Sequence, residues 1–338
     1  MSENKRITLD DVARLAGVSA ITVSRALRRP EMVSEAVRKR IDSAVAELGY
    51  VPNPAARHLA TGRSNVIGVL IPSVTNSVFA EVLKGIYAAS EPSDYEVQLA
   101  NTRYCAETEE NALRLFASQK PAGLVVSGFD QSSAARKLLE RLDCPVVQIM
   151  ETGDNPVDVC VGFSHFHAAE AATRHLISQG YRSPGFLGAR MDPRTQRRFA
   201  GFKAEAEAVG VFDTNRVVTS IEASSVTKGA AMLRQLMTQA PEVDAIFCNN
   251  DDLALGALFE SQRMELDVPN RLGICGFNDL DVMAAANPSL SSVQTERFQM
   301  GKHAIEIILA RLAGTYSGPA IVDLGYKVMA RDSTSKGL

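Results

Sequence analysis

At 338 residues, 46% hydrophobic and 22% charged, the chain is long enough to bury a large core and to build a small domain beside one or two larger ones. No apolar run approaches the roughly 18 residues of a membrane-spanning helix, and the N-terminus carries a helix-turn-helix pattern where a signal peptide would carry its apolar stretch, so a cytoplasmic protein is expected. The net charge of −3 would by itself argue against DNA, but residues 1–63 hold 11 Lys and Arg against 7 Asp and Glu, a balance of +4, and the remainder carries −7.

Residues 8–27, TLDDVARLAGVSAITVSRAL, predict two short helices around a tight turn. Thr8 with Asp11 three positions on is a helix start signal, Leu9, Val12, Ala13 and Ala16 share one helical face, and Gly17 supplies the turn. Ser19 suits the N-cap of the second helix, which turns Val23, Ala26 and Leu27 inward and leaves Ala20, Ile21, Thr22, Ser24, Arg25 and Arg28 facing out. A third helix is expected from Ser34, burying Val37, Ile41, Val45 and Leu48 and stopping at Gly49. Residues 50–62 follow with two prolines and little apolar content, a segment expected to order only against a partner.

From Val66 onward apolar runs (VIGVLI, EVQLA, GLVVSG, PVVQIM, GFLGA, VVTS, AIFC, LGICGF) alternate with helix-length segments, the pattern of parallel, doubly wound α/β sheets. A break near Cys160–Phe163 and a return after Pro288 predict two similar lobes around a cleft. Ligands in such sheets sit beyond the carboxyl ends of the strands, where polar clusters recur: Ser73 to Phe79, Glu151, Phe163-Ser164-His165, Arg190 to Arg198, Ser224-Ser225, Asn249 to Asp252, and Asn278-Asp279. Five widely spaced cysteines read as reduced core thiols, with neither disulfides nor a metal site expected. No G-x-G-x-x-G follows a strand and no phosphate-binding G-x-x-x-x-G-K-[ST] is present, which argues against a nucleotide-dependent enzyme and any such cofactor.

The blocks TLDDVARLAGVS, TVSRAL and ELGYVPNPAARHLA, together with NNDDLALGAL, VPNRLGICGFND and PSLSSVQTERFQMG, resemble the lactose-repressor family of bacterial transcription regulators over nearly the whole chain. The resemblance implies an all-α helix-turn-helix headpiece (residues 1–50), a hinge helix (51–63) and a two-lobed core like the periplasmic binding proteins (64–338). The N-lobe is expected at about 64–161 plus 293–322 and the C-lobe at about 162–292 plus 323–338. It implies DNA contacts by Ser19, Ala20, Ile21, Thr22, Ser24, Arg25 and Arg28, with Asn53, Ala56 and Leu59 in the hinge and Leu59 as a wedge into the minor groove. Ala20 and Ile21 are apolar, so readout there must use thymine methyls or DNA shape.

Effector contacts implied in the same way are Ser73, Asn76, Phe79, Glu151, Phe163, Arg194, Arg198, Asn250 and Asn278. Asn278 stands where sugar-binding relatives commonly carry Asp, and an amide there does not repel a carboxylate. The four arginines of 190–198 suit a carboxylate or phosphate, although Arg197 is expected at the surface. IPSVTNSVFAEVLKGI, VGFSHFHAA and LGARMDPRT are similar to repressors of gluconate and ketogluconate metabolism, so the expected effector is gluconate, a ketogluconate or 6-phosphogluconate. The partners implied are a near-palindromic duplex operator and a second copy of the chain, a dimer without a coiled-coil tail. The alternatives are a regulator responding to a neutral sugar or nucleobase, and a stand-alone soluble sugar-binding protein.

Overall fold

The computed structural model describes residues 7–28, 30–51 and 64–336; the hinge positions Asn53, Ala56 and Leu59 lie outside them. The chain divides into two compact units, residues 1–64 and 65–338.

The first unit holds α1 (Leu9–Ala16), α2 (Ala20–Arg28) and α3 (Glu35–Leu48). Thr8 and Asp11 close a capping box on α1, the Asp11 carboxylate accepting from the Thr8 amide at 3.0 Å and from its hydroxyl at 2.7 Å. Gly17 ends the helix in the left-handed region (φ 63°), where a side chain would clash with its own backbone. The Ser19 hydroxyl accepts from the Thr22 amide at the start of α2. Val12, Val23 and Ile41 are fully buried among four alanines, so small side chains let the three helices close on one another. Leu27 shares the inward face of α2 but lies in its last turn, where 37% of it stays exposed; Ala20 packs partly on the core.

The second unit contains two six-stranded sheets. The first joins β1 (Val66–Ile71), β2 (Glu96–Asn101), β3 (Gly123–Ser127), β4 (Val146–Ile149), β5 (Val159–Gly162) and β11 (Ile321–Asp323) in the order β11-β5-β4-β3-β1-β2, all parallel. The second joins β6 (Pro184–Ala189), β7 (Val217–Ser220), β8 (Ala245–Cys248), β9 (Gly273–Asn278), β10 (Ser291–Thr295) and β12 (Tyr326–Met329) in the order β12-β10-β9-β8-β6-β7, with only β12 antiparallel. The central strands β1, β6 and β9 are buried at every residue, as parallel strands covered on both faces must be. The chain passes between the sheets after Gly162, after Thr295 and after Asp323.

β10, SSVQT, lacks the apolar signal of a core strand, yet Ser291 and Ser292 are fully buried because both hydroxyls are bonded, Ser291 to Thr334 and Ser292 to the Asp251 carboxylate. The final strand-like run splits at Gly325 into β11 and β12, which join different sheets.

The helices are α4 (Ser77–Ser90), α5 (Ala106–Ser118), α6 (Ser133–Leu139), α7 (His165–Ser178), α8 (Pro193–Ala208), α9 (Val226–Gln239), α10 (Asp251–Arg263), α11 (Asp281–Ala285) and α12 (Arg297–Leu312). Their neighbouring pairs cross at glycine. A Cβ on Gly85 of α4 would run into the Phe298 carbonyl of α12, and one on Gly301 of α12 into the Val82 carbonyl of α4. α9 and α10 meet in the same way at Gly229 and Gly256. No helix among the described residues is long and apolar enough to cross a membrane.

Candidate functional site

The carboxyl ends of both sheets converge on a cavity of about 60 Å³. Asn76 reaches it after β1, Tyr104 after β2, Met150 after β4, Arg190 and Asp192 after β6, Ser224 after β7, Asn249 and Asn250 after β8, and Asn278 at the end of β9. Three of these residues are helix N-caps: Asn76 accepts from the Val78 amide, Asp192 from Thr195 and Asn250 from Leu253. Three helix N-termini therefore bring their positive dipole ends to one place.

Three arginines, Arg190, Arg194 and Arg198, line the cavity against one carboxylate, Asp192. Burial works to raise the Asp192 carboxyl, but the Arg194 charge and the Thr195 amide hold it below its ordinary range. Arg198 is only 7% exposed. Its Nε donates to His165 Nδ1 at 3.2 Å, one terminal nitrogen donates to the Asn249 carbonyl, and the guanidinium lies 3.7 Å over the Phe277 ring. Burial pushes its pKa down to about 10, which still leaves it charged at neutral pH. Arg194 donates to Ser127 Oγ at 3.3 Å, and Arg190 lies 3.9 Å over Tyr104, so both reach across from the second sheet to the first. Asn278 is 5% exposed, at positive φ (110°), and lines the cavity.

Of the nine expected effector contacts, Asn76, Phe79, Arg194, Arg198, Asn250 and Asn278 share the cavity, while Ser73, Glu151 and Phe163 do not line it. Ser73 shapes the loop instead, its hydroxyl accepting from the Thr75 and Asn76 amides. Phe163 is fully buried, edge-on to His165 at 4.5 Å, because β5 ends inside the core. Glu151 is 4% exposed and accepts from the His165 amide at 3.4 Å.

Arg197, expected at the surface, is partly buried and forms a two-pronged ion pair with Asp130 (2.6 and 2.9 Å), with Glu151 3.4 Å away. It comes one residue before Arg198 on α8, so the two project about 100° apart, one onto the opposite lobe and one into the cavity. Tyr104 and Thr195 had no place among the sequence-predicted contacts. The available signal for Tyr104 was an aromatic three residues past the end of β2, and Thr195 lay within the polar cluster of residues 190–198. No cluster of metal-ligating side chains occurs among the described residues.

Burial pushes the Glu151 carboxyl up to about 7, outweighing the Arg197 charge that favours ionisation. The folded state thus keeps a proton that the unfolded chain releases near 4.5, and the stability from it is complete at low pH and lost as pH rises from about 4.5 to about 7. Asp251 carries the same sign. Glu151→Gln is expected to flatten, without abolishing, the fall in urea midpoint between about pH 5 and pH 7.5; an unchanged slope would assign the effect elsewhere.

In the first unit, α2 presents Ile21 72% exposed with Arg25 also exposed, and the Ser19 and Thr22 hydroxyls lie 2.8 Å apart. Thr22 and Ser24 are partly buried.

Residues 8–53 match the family model of bacterial regulatory proteins of the lacI family, and residues 64–320 that of periplasmic binding proteins and sugar-binding domains of the LacI family. The chain belongs to the LacI family. It is 40% identical over 329 residues to the HTH-type transcriptional regulator GntR of Pseudomonas aeruginosa, covering 97% of this chain and 96% of that protein. Among solved structures it is similar to a LacI-family transcriptional regulator from Silicibacter pomeroyi (TM-score 0.91, 35% identity, 98% of this chain and 100% of the other). It is also similar to the transcription regulator GntR from Chromobacterium violaceum (TM-score 0.77, 38% identity, 80% and 99%). This LacI-family chain is therefore a transcription regulator with a helix-turn-helix DNA-binding domain, and not an enzyme.

Proposed function

We propose that this regulator is a repressor whose operator affinity is controlled by a small sugar acid of the gluconate, ketogluconate or 6-phosphogluconate class. The observation that carries the reading is the charge of the cavity: three arginines face one aspartate at three helix N-termini, and Asn278 adds no negative charge. Such a site favours an anion, while Asn76, Asn250 and Ser224 offer hydrogen bonds to hydroxyls. Arg190, Arg194 and Arg197 each reach the opposite lobe, so a ligand that rearranges them changes the angle between the lobes. DNA and effector affinities are then coupled reciprocally, typically by about 1–3 kcal/mol. The family resemblance supports a cytoplasmic homodimer on a near-palindromic operator, with the headpiece, hinge and lobe boundaries given above.

Calorimetric titration with gluconate, 2-ketogluconate, 6-phosphogluconate and glucose tests the effector class. Binding confined to the acids is expected; preference for glucose, or silence toward all four, refutes it. On the DNA side, the exposure of Ile21 supports an apolar contact with a thymine methyl. Ile21→Ala is expected to weaken operator binding by about 1–3 kcal/mol and leave non-specific binding unchanged, measured by fluorescence anisotropy on operator and random duplexes.

A further inference from the structure

We infer that His165 is a positioning residue for effector binding: its Nδ1 lone pair, left free because the ring proton sits on Nε2, aims the Arg198 guanidinium into the cavity. The inference rests on the reading of the cavity as an acid-binding site. His165 is fully buried at the first residue of α7, immediately after the chain crosses from β5. Arg198 Nε donates to its Nδ1 at 3.2 Å. A guanidinium can only donate, so Nδ1 must be unprotonated and the neutral ring carries its hydrogen on Nε2. That nitrogen lies 3.9 Å from Glu151 Oε2, and neither buried atom makes a hydrogen bond, Oε2 also facing the Arg197 guanidinium at 3.4 Å. A shift of about 1 Å would bring the two atoms within hydrogen-bond distance.

The consequence for Arg198 is geometric. With Nε held by His165, one terminal nitrogen held by the Asn249 carbonyl and the plane set against Phe277, the guanidinium cannot roll, and its second terminal nitrogen is left to the cavity. Phe163 and Phe277 flank the imidazole at 4.5 and 5.9 Å and fix its orientation in turn. Burial and the charges of Arg198, Arg194 and Arg197 all oppose a second proton on the ring, holding the His165 pKa far below its ordinary value. The Arg198–His165 contact leads on through Glu151 to Arg197 and Asp130, so the residue that meets the effector and the ion pair that joins the lobes lie along one series of neighbours running from the buried His165 out to the surface at Asp130.

Calorimetric titration of gluconate into the full-length wild type and two variants tests this. His165→Leu keeps the bulk but has no acceptor, whereas His165→Asn places an amide oxygen near the Nδ1 position. The Leu variant is expected to bind gluconate about tenfold or more weakly, the size of losing a charge-assisted hydrogen bond, and the Asn variant to stay within about threefold of the wild type. Equal affinities in all three, or equal losses in both variants, overturn the positioning role while leaving an acid-binding wild type intact. A wild type that binds no acid removes the cavity reading and this inference together. If the Leu variant does not fold, 15N spectra of the wild-type histidine rings decide: an unprotonated Nδ1 and protonated Nε2 on His165 from about pH 6 to pH 8 are expected, and a protonated Nδ1 overturns the proposal.

Discussion

Arg198→Ala is expected to weaken binding of sugar acids by two orders of magnitude or more, about 3 kcal/mol, which lies within the range for truncating one partner of a buried charged pair. The effect is large because the guanidinium is already desolvated and oriented before ligand arrives: 7% exposed, bonded to His165 and to the Asn249 carbonyl, and stacked on Phe277. Alanine leaves the incoming carboxylate without its fixed donor, and neither Arg190 nor Arg194 can replace it while they are engaged with Tyr104 and with Ser127 and Asp192. Ligand-free stability should fall by only about 1–3 kcal/mol, the cost of leaving the buried Asn249 carbonyl without its donor. Calorimetric titration measures the first quantity and urea denaturation the second. Acid binding within about threefold of the wild type would show that the carboxylate lies elsewhere.

Gly301→Val is expected to destabilise the second unit by more than about 3 kcal/mol, at or beyond the upper end of overpacking substitutions. A side chain on Gly301 meets the Val82 backbone carbonyl, and Gly85 opposite is equally closed by the Phe298 carbonyl, so neither helix can yield by rotating a side chain. The pair must separate, and α12 buries Met300, Ala304, Ile305, Ile307 and Ile308. Gly301→Ala gives the sharper test. At an open helical position alanine gains about 1 kcal/mol over glycine, whereas at this crossing it should lose stability. A stabilised alanine variant in chemical denaturation would contradict the close packing of α4 on α12.

Local features were legible from sequence because their causes lie within a few residues. The capping pair Thr8 and Asp11, the left-handed turn at Gly17 and the i, i+3, i+4 spacing of small apolar residues place the three headpiece helices without reference to anything distant. The alternation of apolar strands with helices likewise announces a parallel α/β core, whose polar clusters must follow the strand ends. Six residues that the family resemblance implied as effector contacts lie in those clusters and line the cavity. The burial of Phe163 against His165 was not legible, because the ring that packs on it is brought there by the fold. β10 was hidden because its buried serines are satisfied by Thr334 and Asp251, partners no local pattern announces.

By itself the sequence determined the chemical inventory: a basic helix-turn-helix segment, a two-lobed α/β core and an arginine-rich loop after one strand. Only the tertiary structure decided which of those arginines does what. Arg198 enters the cavity because Asn249, 51 residues away, offers its carbonyl, and Arg197 leaves it because Asp130, 67 residues away, offers a carboxylate. Adjacent residues on one helix carry the same charge and the same propensity, so their roles are set by what stands opposite. That depends on how two separate sheets bring their strand ends together, which short-range energetics along the chain does not encode.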